Sequence, residues 1–134
     1  MSNETYAALI VDDSELISDR MEKQLMELDC ISETYIAYNF NDAVDQLEDK
    51  SIDVVILDIN LSLPGKNGLE LLQFIKDTYP DIKTIMLTNQ SGDFYKNLCL
   101  KIGSDHFFDK STEFEKIPSI ISSFFSNRKP NISG

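Results

Sequence analysis

A chain of 134 residues has the length of one domain, enough to bury a two-sided core without help from metals or disulfides. Lys and Arg number 12 against 23 Asp and Glu, a net charge of −11, so its field repels nucleic-acid phosphates and anionic lipid surfaces, and neither is an expected partner. Met1 to Glu4 lacks a signal core, no run approaches the roughly 18 apolar residues of a membrane span, and Cys30 and Cys99 lack metal-ligand spacing, which reads as free thiols in the cytoplasm.

Tyr6 to Val11 is a short apolar strand that runs into Asp12-Asp13. Asp13-Ser14-Glu15 then supplies cap and first-turn acids for a helix, with Ile17, Met21, Leu25 and Leu28 on its apolar face. Thr34 to Tyr38 has strand composition. Asn39 to Asn41 offers cap chemistry for a second helix, striped by Phe40, Ala43, Val44 and Leu47. Its acids, Asp42, Asp45, Glu48 and Asp49, read as a solvated face.

Val54-Val55-Ile56-Leu57 is an unbroken apolar run, the signature of a strand buried on both faces, and it ends on a carboxylate, Asp58. A turn-rich loop from Leu61 to Gly68 leads into a helix carrying Leu71, Leu72, Ile75 and Tyr79, closed by Pro80. Ile82 to Thr88 is the next strand. Phe94, Leu98 and Ile102 share one face of the following helix, which Gly103 is placed to end. His106 to Asp109 is a short last strand, with Lys110 at its end. The final helix spans Glu113 to Phe125, with Phe114, Ile117, Ile121 and Phe124 on one side and Pro118 near its first turn. Residues 1–126 are expected to form the domain and 127–134 a flexible tail.

Strand and helix alternate about five times, which predicts an α/β domain: a doubly wound parallel sheet with helices on both faces. The carboxyl ends of parallel strands line one sheet edge, where ligands bind. Asp12, Asp13, Asp58, Thr88 and Lys110 therefore meet in one cleft. Three neighbouring carboxylates repel one another unless a cation intervenes, and an all-oxygen donor set suits Mg²⁺. Lys110 and the Thr88 hydroxyl add the donors that a phosphoryl group needs.

In these residues, from Tyr6 to about Phe125, the sequence resembles response regulator receiver domains of two-component signalling, of the single-domain chemotaxis type. Asp12-Asp13, Asp58, Thr88, Gly103 and Lys110 carry the resemblance, in order and at family-like spacing. It implies a flavodoxin-like five-stranded sheet of order 2-1-3-4-5. It also implies that Asp58 accepts a phosphoryl group, from a sensor histidine kinase or a histidine phosphotransfer protein, in a Mg²⁺-dependent step. Asp12, Asp13, Asp58 and the backbone of Asn60 would hold the ion, and Lys110 and Thr88 the phosphoryl group. Phe107 takes the switch-aromatic position, with a plain core role as its rival, and the side chains of Asn60 and Gln90 stand where they would modulate dephosphorylation. Output would pass to a downstream protein, or to a homodimer formed on phosphorylation, through the fourth helix, last strand and last helix.

Two departures from the family pattern stand out. Pro64 and Gly68 come two residues late, so the loop after Asn60 is longer, and Asn89 replaces a small residue after Thr88. The protein is expected to be a signalling phosphoacceptor rather than an enzyme. The rival reading is a Mg²⁺-dependent phosphohydrolase with an aspartyl-phosphate intermediate, which would want a second acid where Asn60 stands.

Overall fold

The computed structural model describes residues 5–61, 65–90 and 92–128. Five strands, β1 (Tyr6–Val11), β2 (Ile31–Ala37), β3 (Val54–Leu57), β4 (Lys83–Thr88) and β5 (His106–Asp109), alternate with helices α1 (Glu15–Met26), α2 (Phe40–Asp49), α3 (Gly68–Thr78), α4 (Asp93–Ile102) and α5 (Ile117–Arg128). The strands form one parallel sheet of order β2-β1-β3-β4-β5. Every strand thus delivers its carboxyl end to the same edge, and β1 and β3 lie side by side.

Both sheet faces are covered, as the apolar runs require. On one face Val11, Val55, Leu57, Met86 and Phe107 pack with Ala43, Leu47, Leu71, Ile75 and Cys99 from α2, α3 and α4. On the other, Ala8, Ile10, Ile56, Leu87 and Phe108 meet Met21 and Leu25 of α1 and Ile117 and Ile121 of α5. All four residues of β3 are buried. Each contributes roughly 1.5–3 kcal/mol by leaving water, which locks the strand that ends at Asp58.

Local chemistry starts α1 and α2 and stops α4 where the sequence indicated, and it starts α3 at a cap that the sequence reading left inside a turn-rich loop. Ser14 caps α1, Asn39 caps α2, and Asn67 forms a capping box with Glu70 at the start of α3. Gly103, at φ +126°, ends α4 in a conformation that costs glycine least.

Four details differ from expectation. Strand β2 begins at Ile31, because its backbone follows β1 from Tyr6 onward. A 3₁₀ turn, Phe114–Lys116, precedes α5, so Pro118 lies in the first turn of α5, where its missing N–H has no helical partner to lose. Helix α5 continues to Arg128, two residues into the stretch expected to be tail. Residues 129–134 lie outside the described range. Finally, Phe94 is 71% exposed. The residues of α4 that meet the core are Tyr95, Cys99 and Ile102, so the inward face is turned by one residue from the expected Phe94–Leu98 stripe.

Among the described residues, no helix is long and apolar enough to cross a membrane.

Candidate functional site

Backbone hydrogen bonds prolong the β1–β2, β3–β1 and β5–β4 pairings by one residue. Asp12 N–H donates to Ala37 C=O at 3.1 Å, Asp58 N–H to Val11 C=O at 3.0 Å and Lys110 N–H to Thr88 C=O at 3.0 Å. The positions of four functional side chains are therefore set by strand register.

Asp12 and Asp58 are buried, and Asp13 beside them is exposed. One carboxylate oxygen from each of the three lies within 4.8 Å of the others. The Lys110 ammonium bridges two of them, with Nζ 2.7 Å from Asp12 Oδ2 and 2.7 Å from Asp58 Oδ2. The other Asp12 oxygen accepts the Ser14 N–H at 2.9 Å, so the residue that caps α1 also aims Asp12. The other Asp58 oxygen accepts only a long contact from the Asn60 N–H, at 3.4 Å.

Burial pushes the Asp12 carboxyl above the usual carboxylate range, against the pull of the Lys110 hydrogen bond and the Ser14 amide, and the nearby Asp58 charge adds to the rise. Burial acts to lower the Lys110 ammonium, but its hydrogen bonds to Asp12 and Asp58, and their charges, hold it above the ordinary lysine value. Fully ionised, the three clustered carboxylates carry more charge than the one Lys110 ammonium that bridges Asp12 and Asp58. A divalent cation would neutralise that excess. The donors are all hard carboxylate oxygens, with no histidine or cysteine among them, which fits Mg²⁺.

Thr88 is fully buried, and its Oγ1 accepts the Gln90 N–H at 3.1 Å. The hydroxyl proton thus remains available to an acceptor. Asn60 is exposed and Gln90 half-buried, both on loops at this edge. Phe107 and Phe108 point to opposite sheet faces, each into a core cluster.

Some contacts were not foreseen. Gly68 comes so close to β3 that a Cβ there would stand 1.9 Å from the Asp58 carbonyl oxygen. Its place in the late-glycine loop was the only sequence signal. Ser111 Oγ donates to Asn89 Oδ1 at 3.2 Å, linking two loops that no sequence spacing connects. Arg20 lies over the Phe114 ring at 4.4 Å. It lines a groove of about 440 Å³ with Ile17, Asn89, Lys110 and Ser111.

Comparison with known proteins agrees with this geometry. The family model for the response regulator receiver domain matches residues 8–122. A solved chemotaxis-type receiver domain protein from Methanospirillum hungatei JF-1 is 25% identical, with a TM-score of 0.81 over 92% of this chain and 96% of that one. Two others share the fold. The receiver domain of Francisella response regulator 1452 is 21% identical with a TM-score of 0.83, covering 93% of this chain and 100% of that one. The BeF3-activated receiver domain of DrrB, from Thermotoga maritima, is 24% identical with a TM-score of 0.76, covering 91% and 98%.

Proposed function

The chain belongs to the response regulator receiver domain family, and from that premise we propose that Asp58 is its phosphoacceptor. Receiver domains are signalling phosphoacceptors rather than enzymes with a separate substrate. They typically bind Mg²⁺ at an acidic pocket and act with histidine kinases and effector domains. The observation that carries the reading to Asp58 is the Lys110 ammonium shared at 2.7 Å between Asp12 and Asp58, inside the three-carboxylate cluster.

In the proposed step an Asp58 carboxylate oxygen attacks the phosphorus of a phosphohistidine; the new O–P bond forms as the N–P bond breaks, and the imidazole leaves with the electron pair. Asp12, Asp13, Asp58 and the Asn60 carbonyl are the groups that would hold Mg²⁺. When bound, the ion supplies positive charge where phosphoryl charge accumulates. Lys110 stays charged through the reaction and pairs with a phosphoryl oxygen. The Thr88 hydroxyl, whose lone pair already takes the Gln90 N–H, donates its proton to another.

Dephosphorylation would need an oriented water. The Asn60 and Gln90 amides can orient one, but neither has a carboxylate to act as base, so a long-lived phosphoryl group is expected. For the same reason no observation favours a phosphohydrolase: Asn60 has no proton to give a leaving group. Movement of Thr88 toward the phosphoryl group would draw the start of α4 with it, Phe107 filling the space behind. The output surface for a downstream protein or a second copy is then α4, β5 and α5, around Phe94 to Leu98, Phe107 and Glu113 to Ile117.

Incubation with Mg²⁺ and phosphoramidate, followed by peptide mass analysis, tests the assignment. An added phosphoryl mass on Asp58 is expected. Label on another residue, or none in the folded protein, overturns it.

A further inference from the structure

The long connection after Asn60 does not stand free of the domain. Its foot is closed by the Gly68 N–H, which donates to the Ile59 carbonyl at 2.7 Å. Further along, Gly65, at φ +109°, comes so near α2 that a Cβ there would lie 3.1 Å from Phe40 Cβ and 3.3 Å from Asn41 Oδ1. Lys66 adds a second contact, with Nζ 5.5 Å from the centre of the Phe40 ring, within the range of a cation–π attraction. The ring is itself held from behind. Phe40 meets Phe74 edge-to-face at 6.2 Å, Phe74 meets Tyr79 at 6.1 Å, and all three pack with Leu61 on the α2-α3-α4 core.

We infer that the first turn of α2 is part of the frame of the acceptor site, with Phe40 acting as a positioning residue for the β3–α3 connection and, through it, for the oxygen ligands at Asn60 and Asp58. The inference rests on the phosphoacceptor reading of Asp58. The physical reason is the length of the connection. Asp58 is held by strand register, but Asn60 lies beyond the last ladder bond, and among the described residues its amide makes the long 3.4 Å contact to Asp58. A carbonyl so loosely fixed is ordered by whatever fixes the chain after it. The described residues of that chain are fixed at two places, the Ile59–Gly68 bond and the seat on α2. An interaction that orders a ligand before the ion arrives removes that ordering cost from binding, so the seat should strengthen Mg²⁺ affinity without touching the ion. By linkage, Mg²⁺ at the acids should tighten the first turn of α2.

The test measures Mg²⁺ dissociation constants by calorimetry on the full chain, beside thermal unfolding in metal-free buffer. Phe40→Ala is expected to weaken Mg²⁺ binding about tenfold, the low end of what is lost when a ligand-orienting group is removed, and Phe40→Tyr to restore it. Gly65→Ala, which forces a Cβ against α2 in a strained backbone conformation, is expected to weaken Mg²⁺ similarly. Lys66→Met is expected to cost less, about twofold. Should Phe40→Ala fail to fold, the Gly65 and Lys66 variants carry the same comparison. An unchanged Mg²⁺ constant in folded variants, whatever their melting temperature, overturns the inference and leaves the phosphoacceptor reading intact, provided the parent protein still gains a phosphoryl mass on Asp58. Failure of the parent to bind Mg²⁺ or take up phosphoryl overturns both.

Discussion

Two strand-to-helix connections meet at this site, and they are built in opposite ways. The one after β3 begins at Asp58 and is tied down: the Ile59–Gly68 bond, the Asn67–Glu70 capping box and the contacts of Gly65 and Lys66 with Phe40 all hold it. The one after β4 begins at Thr88 and reaches α4 through Gly92, an N-cap with no side-chain hydrogen bond, with Phe94 exposed just beyond. Its described ties are the Gln90 N–H to Thr88 and the exposed Ser111–Asn89 hydrogen bond. On the proposed reading the site holds a metal and also reports its own modification, which calls for a fixed side and a yielding one. The fixed side then carries the proposed nucleophile, and the yielding side the group that would sense the product.

Breaking the fixed side should have the largest effects. Asp58→Asn keeps the shape and removes the nucleophile, so phosphoryl uptake should fall to zero while the melting temperature changes little; mass analysis and thermal unfolding check both, and labelling at the parent rate would remove Asp58 from its role. Gly68→Ala puts a methyl group where the Asp58 carbonyl stands, and overpacking of that kind costs about 1–3 kcal/mol or more. Chemical denaturation should show that loss. A neutral result would mean that the start of α3 can back away from β3.

Variants of the yielding side should act on output rather than uptake. Thr88→Ala is expected to keep phosphorylation of Asp58 while losing most of the phosphorylation-dependent change in amide exchange across Asp93–Ile102. An undiminished change would show that α4 is driven by some other contact. Gly92→Asp sharpens the contrast by supplying the missing cap, since its Cβ meets nothing within 4 Å. A side-chain cap in place of glycine is worth a few tenths of a kcal/mol, so a small gain in stability with a smaller output response is expected by the same exchange measurement. The smallest effect concerns Cys99, whose thiol is pushed up to about 11 by burial on the core-facing side of α4. At pH 8 it should be almost wholly protonated and resist alkylation in the folded protein. Rapid labelling would mean that α4 opens far more often than its packing suggests.

Much of this comparison was legible in the chain. The run Val54 to Leu57 ending on Asp58, the Asp12-Asp13 pair and the order of Thr88 and Lys110 gave the acids, the hydroxyl and the cation, because a buried parallel strand must be apolar along its length and can place charge only at its end. The inward face of α4 was misread. Phe94 is more apolar than Tyr95 or Cys99, and two stripes one residue apart both end at Ile102, so periodicity could not tell which of them faces the core.

By itself, then, the sequence determined the alternation of strands and helices, the Ser14 and Asn39 caps, the Gly103 stop and which residues reach the carboxyl edge. All of these follow from side-chain period, backbone preference and hydrogen bonds across a few neighbours. Only the tertiary structure decided that Lys110 sits between Asp12 and Asp58, that Gly68 lies against the Asp58 carbonyl, that Asn89 reaches Ser111 and that Gly65 and Lys66 lie against Phe40. Each is a contact between residues that are close only because separate strands and helices pack at one edge, and no local rule of the chain encodes the distance between them.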